Sequence, residues 1–475
     1  MKSELRRRHA GLFLILCLLS AAGVVSASET YFFRLYLKDK GMNDFTLHEP
    51  ERFLSLESVE RRMLHEVFVD ETDFPVSPVY LEELRAAGAI PRLTSKWMKT
   101  VVVECADSSD VERLMNMPFV DSLRCVWRCE DRIKPAKPLA NDLSDIIIIS
   151  DMFTDDTTGF PSADIPVEDI YGSARKQIEM LNGVRLHEAG YRGQGMRIAV
   201  IDAGFENADR IDAFSSLKLI GTKNITFPGH DVFREDHHGT KALSCLAADL
   251  TGVMRGAAPE ASYLLIKSED TRGEFPVEED YWAAAVEYAD SVGIDVISSS
   301  LGYFRFDSLP DYYTTDDTDG QTAFVSRIAS VAASKGMLVV VSAGNEGVGA
   351  WSKITFPADA RDILTVGSVT SDGEKSAFSS IGMTADYRIK PDVVALGTSV
   401  CVINSSGQTQ FSNGTSFSAP TVAGMAACLW QAFPLLRNTE LIELIKSSSS
   451  QHQTPDVQLG YGIPDIFKAY RTAGE

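Results

Sequence analysis

From about residue 195 onward the chain alternates short apolar runs with longer stretches of helical spacing. Ile198–Ile201, Tyr263–Ile266, Val296–Ser299, Leu338–Ser342 and Ile363–Val366 lack the strict apolar–polar alternation of a strand with one wet face, so they read as strands covered on both sides. Between them, 282–292 and 322–335 carry apolar residues three and four positions apart and read as helices. Such alternation predicts an α/β domain with a mostly parallel sheet, right-handed crossovers and helices on both faces. Residues 421–430 are apolar all round and read as a buried helix. The stretch Asn413-Gly414-Thr415-Ser416-Phe417-Ser418-Ala419-Pro420 closes a loop and opens that helix.

Upstream the pattern changes. Residues 31–37, 99–104 and 120–126 read as strands, and 55–66, 79–87 and 109–116 as helices, the first with a Ser55-Leu-Glu-Ser58 start. Together they make a small α+β unit over residues 28–134. Ahead of it, Arg6-Arg7-Arg8 precede an apolar stretch from Gly11 to Val25 that is too short to span a bilayer, and Val25-Ser26-Ala27 offers a small-residue cleavage site. Residues 1–27 therefore read as a signal peptide for an exported chain, periplasmic, cell-surface or extracellular, with no membrane span after its removal. Residues 135–170 read as a linker: prolines punctuate it and Asp151–Gly159 is acidic, although Ile146-Ile-Ile-Ile149 interrupts it. Residues 171–475 form the larger domain.

Composition adds exclusions. Of 475 residues 44% are hydrophobic and 23% charged, enough for a sizeable core. A formal net charge of -21 argues against nucleic-acid binding, which needs a basic face, and reads otherwise as solubility. Beyond the leader stand Cys105, Cys125 and Cys129, then Cys245, Cys401 and Cys428; three per region cannot pair fully. Cys245 and Cys428 fall on apolar helical stretches and read as buried thiols, while a Cys125–Cys129 bridge is compatible with export. No Cys-x-x-Cys or His-Glu-x-x-His spacing points to zinc, and no metal site is assigned.

The chemistry converges on Ser416. A helix N-terminus favours developing negative charge, but a serine becomes a nucleophile only with a base to take its proton and a carboxylate to orient that base. Asp202 stands at the end of the run 198–201, where open α/β sheets place their chemistry. His238, in Asp236-His237-His238-Gly239-Thr240, precedes the helical stretch 241–247; His237 is adjacent, and the Gly-Thr that follows favours His238. Thr240 is expected to cap that helix.

Asp-Ala-Gly, His-Gly-Thr and Gly414-Thr415-Ser416-Phe417-Ser418-Ala419-Pro420, in the order Asp, His, Ser, resemble the subtilisin-like serine proteases, or subtilases, over about residues 171–475. The resemblance implies a subtilisin-like fold and a triad of Asp202, His238 and Ser416. Ser342-Ala-Gly344-Asn345 resembles the family's oxyanion-hole turn, implying that Asn345 donates to the tetrahedral intermediate. Ser300, Leu301 and Gly302 resemble the segment that pairs with the substrate backbone. The departures are Ala203, Phe417, Lys241 and Leu243, where the family commonly carries Thr, Met, His or Pro, and Val; none bears the proton-transfer atoms. The 28–134 unit resembles, in position and pattern, the ferredoxin-like propeptides of subtilases, implying an intramolecular inhibitor and folding aid.

The implied function is an exported serine endopeptidase acting on protein or peptide substrates through an acyl-enzyme; the alternative is a catalytically inactive subtilase fold serving as a binding or scaffold protein. The chemistry requires no cofactor. Calcium is common in the family, but no ligand set is assignable here. Two other readings fail on the residues. Gly193-Gln-Gly195 precedes a strand rather than following one, so a phosphate would meet no helix N-terminus. An α/β-hydrolase elbow needs Gly-x-Ser-x-Gly, and Ser418 stands where its second glycine belongs.

Overall fold

The computed structural model describes residues 30–129 and 169–474 apart from 308, 310 and 311. The expected signal peptide and nearly all of the expected linker, including Ile146–Ile149, lie outside the described residues.

The N-terminal unit runs β1 (Thr30–Leu37), α1 (Leu56–Leu64), α2 (Pro78–Ala86), β2 (Ile90–Ser95), β3 (Thr100–Cys105), α3 (Asp110–Met115) and β4 (Val120–Cys129). Its four strands pair antiparallel in the order β2-β3-β1-β4, the ferredoxin-like arrangement. Ser55 caps α1 by accepting from the Ser58 backbone N–H, as its sequence predicts. β2 was not expected: Pro91 interrupts its run, and it pairs at the sheet edge across a bulge between Pro91 and Leu93.

The larger domain is built on seven strands: β5 (Arg197–Asp202), β6 (Lys218–Asn224), β7 (Ser262–Lys267), β8 (Val296–Ser299), β9 (Leu338–Ser342), β10 (Leu364–Val369) and β11 (Val393–Leu396). They lie in the order β11-β10-β9-β8-β5-β7-β6, and every adjacent pair is parallel. Successive residues divide between two cores. Ile198, Val200, Val296 and Val340 face α4 (His238–Ala247) and α7 (Thr415–Ala432), whereas Ala199, Ile201, Ile297 and Val341 face α5 (Glu278–Val292) and α6 (Phe324–Ser334). A hairpin, β12 (Val400–Ile403) with β13 (Thr409–Ser412), delivers the chain to α7. The sequence pattern misses β6, which is half-exposed and polar, and also the four-residue strands β11, β12 and β13.

The two units pack against each other through the faces of β1. Phe33, Leu35 and Leu37 fill the N-terminal unit's own core, while Phe32, Arg34 and Tyr36 point to the larger domain. Arg34 is wholly buried; Nε and Nη2 donate to Asp280 at 2.7 and 2.6 Å, and the guanidinium lies 3.7 Å from the Phe324 ring centroid. Further along α5, Glu287 accepts from Ser95 Oγ and from the backbone N–H groups of Lys96 and Trp97. Asp290 accepts from Arg61 and Arg62, each at 2.7 Å. One stripe of α5 thus offers three buried carboxylates, and the N-terminal unit supplies their donors.

Removing one partner of a buried pair strands the other, at a cost of about 3–5 kcal/mol. Arg34→Met is therefore expected to lower full-chain stability by that amount in urea unfolding, in a Ser416→Ala background to prevent self-digestion. Adding Asp280→Asn should return most of the loss.

Candidate active site

Three strand ends and two helix N-termini meet at the C-terminal edge of the sheet. β5 ends on Asp202, which is fully buried, and the chain turns immediately. Asp202 Oδ1 accepts from the Ala203 backbone N–H at 2.8 Å and from His238 Nδ1 at 2.6 Å. An ionised carboxylate can only accept, so the imidazole carries its proton on Nδ1 and presents Nε2 as a base. Among the described residues Asp202 Oδ2 accepts no hydrogen bond, and the alanine at 203 has no hydroxyl to offer it.

His238 is the first residue of α4, so the helix begins earlier than its apolar run suggests. The expected cap is corrected. The Thr240 hydroxyl donates to Glu206 O, and it is Asp236 Oδ1 that accepts from the His238 N–H at 2.7 Å. Gly239 is required at this point. A Cβ there would lie 2.3 Å from Gly204 O and 2.9 Å from Asp202 Cβ, so only glycine lets the first turn of α4 approach the end of β5. The sequence favours His238 over the adjacent His237, and the structure brings His238 to Asp202.

Ser416 sits in the first turn of α7 and is 4% exposed. The helix contains Pro420, which has no N–H to give the carbonyl four residues back. That carbonyl belongs to Ser416, and it accepts instead from Ser300 Oγ at 2.8 Å. Ser416 Oγ itself points to Ser300 O at 3.5 Å. The proline thus fastens the serine's backbone to the segment following β8. Ser300, Leu301 and Gly302 continue beyond the last residue of that strand and line the same cleft as Ser416.

Asn345 follows β9 at Gly344, whose φ of +101° turns the chain sharply. Asn345 Oδ1 accepts from the Thr415 N–H and the Thr415 hydroxyl, each at 3.0 Å. Those bonds fix which end of the amide is oxygen and orient Nδ2 as the donor end. The sequence offered no sign of the anchoring roles of Thr415 or Pro420, because their partners Asn345 and Ser300 are brought to them only by the fold; the Asp236 cap is local, two residues before His238, and could have been read there.

Ala203, His238, Asn345 and Ser416 share a cleft of about 250 Å³ with Ser300–Gly302 and with a group of acidic residues that includes Glu269, Glu274 and Glu278. Glu269 and Asp270 follow the end of β7 just as Asp202 ends β5, a position that could have marked them in the sequence.

Comparison with known proteins now decides the family. The model described as the subtilase family matches residues 193–462. This chain belongs to the subtilase family. A second family model, the peptidase S8 propeptide domain of Bacteroidota, matches residues 33–139 of this subtilase. Subtilisin NAT of Bacillus subtilis subsp. natto is 29% identical over 277 residues, 58% of this chain and 65% of its own length. Subtilisin DY of Bacillus licheniformis is 28% identical over 278 residues, 58% of this chain and 90% of its own. The match therefore spans a little under two thirds of subtilisin NAT. Among solved structures, the crystal structure of MycP1 from the ESX-1 type VII secretion system superposes with a TM-score of 0.50 at 20% identity, over 66% of this chain and 88% of that one, a likeness of fold.

Ser300→Ala would leave the buried Ser416 carbonyl without a donor, a loss of about 1–3 kcal/mol. Urea unfolding should show that loss. Adding Pro420→Ala restores a helical N–H at 420 and should recover part of it, whereas a Ser300 role confined to substrate contact predicts no change in stability.

Proposed function

We propose that this subtilase is an exported serine endopeptidase that cuts peptide bonds through an acyl-enzyme intermediate. The observation that carries the reading is the hydrogen bond from His238 Nδ1 to the buried Asp202 carboxylate, made in the cleft that also contains Ser416. In this mechanism Ser416 Oγ attacks the carbonyl carbon as His238 Nε2 takes its proton. Asp202 holds the ring in the required tautomer and stabilises the imidazolium. Asn345 Nδ2 and the Ser416 backbone N–H donate to the oxyanion. His238 then gives its proton to the leaving amine, and a water repeats the sequence in reverse to release the acid. The segment Ser300–Gly302 holds the substrate backbone extended.

The same reading takes residues 1–27 as the signal peptide and 28–134 as a propeptide that inhibits the domain it helps to fold. Residues 135–170 are the linker that contains the maturation bond, and 171–475 the catalytic domain. The triad chemistry needs no cofactor. Among the described residues no helix is long and apolar enough to cross a membrane.

A fluorophosphonate probe tests the reading directly. It is expected to label the purified chain on Ser416, with no label in Ser416→Ala; folded protein that takes no label would favour an inactive scaffold. Steady-state hydrolysis should fall about 10²–10³-fold in kcat for Asn345→Ala. For Asp202→Asn, which offers the ring a donor where it needs an acceptor, the expected fall is about 10⁴-fold.

A further inference from the structure

The cleft has a second end that the proton-transfer chemistry does not use. Glu269, Asp270, Glu274, Glu278 and Asp307 line it, and among the described lining residues Arg272 is the one base of fixed charge. Asp270 already holds that guanidinium, with Nε to Oδ1 at 2.8 Å and Nη2 to Oδ2 at 2.5 Å. The remaining carboxyl groups face the cleft in excess.

Two of them have acceptor oxygens to spare. Glu269 is 8% exposed; its Oε1 accepts from the Tyr303 hydroxyl at 2.5 Å and the Ser268 hydroxyl at 3.3 Å. Its Oε2 accepts no hydrogen bond among the described residues, and Glu269 is one of the residues that line the cleft. The Glu274 carboxyl accepts none either; only the Glu274 backbone is bonded, to Asp307. Glu278 differs, accepting from the Asp270 N–H at 2.8 Å and the Phe275 N–H at 2.9 Å. The Lys267 ammonium nearby is committed to the carbonyls of Ala203 and Glu269 and lies 3.5 Å from Glu235.

This concentration strains the charged forms. Burial lifts the Glu269 carboxyl to about 7, and burial followed by repulsion from Glu269 and Asp307 lifts Glu274 to about 8. A cation entering the cleft reverses that balance: it favours the ionised carboxylates, and their spare oxygens accept its N–H groups.

Resting on the serine-protease reading above, we propose that Glu269 and Glu274, with Asp307 and Glu278, bind a lysine or arginine side chain of the substrate, so that the enzyme cuts peptides at or next to basic residues. The chain's own sequence fits this. β4 ends beside this rim, with Trp127 packed 5.2 Å from Phe275 and 5.6 Å from the Arg272 guanidinium. The sequence that follows β4 carries Arg132, Lys134 and Lys137.

The test compares fluorogenic peptides that differ only in carrying lysine, norleucine or glutamate at one position at a time, from four residues before the cut to two after it. At one position or more, lysine should exceed norleucine in kcat/KM by about tenfold or more, the scale of a close desolvated charge pair. Glu274→Gln should pull that ratio toward unity, and Glu274→Lys should turn the preference toward glutamate. Glu269→Gln provides a second, independent variant. Lysine and norleucine peptides cut equally well at every position by active enzyme overturn the proposal and leave the protease reading intact. So does a lysine preference unchanged in both glutamine variants. Ser416 labelled by the fluorophosphonate probe while no basic peptide is cut counts against the proposal alone. Neither labelling nor cleavage of any peptide overturns the protease reading and the proposal with it.

Discussion

Everything at the sheet edge answers to one constraint, the burial of the Asp202 carboxylate. A buried charge is costly unless its oxygens are bonded, and Asp202 has two donors, the next backbone N–H and His238 Nδ1. To bring the second donor in, α4 must begin at His238 and lie against the end of β5. That approach tolerates no side chain at 239 and needs Asp236 to take up the first free N–H of the helix. The imidazole tautomer follows from the carboxylate, and the availability of Nε2 as a base follows from the tautomer. Ser416 is positioned by a separate device that ends at the same place. Pro420 leaves a carbonyl open, Ser300 fills it, and the N-terminus of α7 is thereby tied to the end of β8, three strands after β5 in sequence order and next to it in the sheet.

Much of this was legible in the residues. Both-face burial identified β5, β7, β8, β9 and β10 because a parallel sheet covered by helices leaves no wet face, and that is what unbroken apolar runs encode. Asp202, His238 and Ser416 stood out because strand ends and helix starts are marked by local composition, whereas Asn345 was pointed to only by the family resemblance of its turn. β11, an equally apolar and buried run, was missed, and the rest of what stayed hidden is of another kind. β6 is a half-exposed strand with a polar sequence, and β2 contains a proline; each is a strand because a neighbour offers it hydrogen bonds, not because of its own pattern. The roles of Thr415 and Pro420 depend on Asn345 and Ser300, 70 and 116 residues away, and no window along the chain contains both partners.

The net charge shows the same limit. Taken as a sum it suggests only solubility, yet the structure sorts a part of it into two special places. On α5, Asp280, Glu287 and Asp290 lie along one stripe and receive Arg34, the loop after β2, and Arg61 with Arg62. At the N-terminus of the same helix, Glu278 faces the cleft, with Glu269 and Glu274 close by in the lining. The first group is balanced by the N-terminal unit. The second is not balanced by the chain around it.

That contrast argues that α5 is the element through which the two units and the cleft are joined. Its first turn carries Glu278 into the cleft and Asp280 into the grip of Arg34, two residues apart, while the backbone N–H of Val277 donates to Val126 of β4. The helix N-terminus favours carboxylates electrostatically, which lowers the cost of gathering Glu278, Glu279 and Asp280 there. Because β1 and β4 are paired, their displacement would remove the acceptor of the Val277 N–H and the partner of Asp280 together, and would act directly on the turn that holds Glu278. The acid-rich start of α5 is therefore not a surface feature that happens to lie near the site; it places the N-terminal unit's hold and the charge of the cleft on the same few residues.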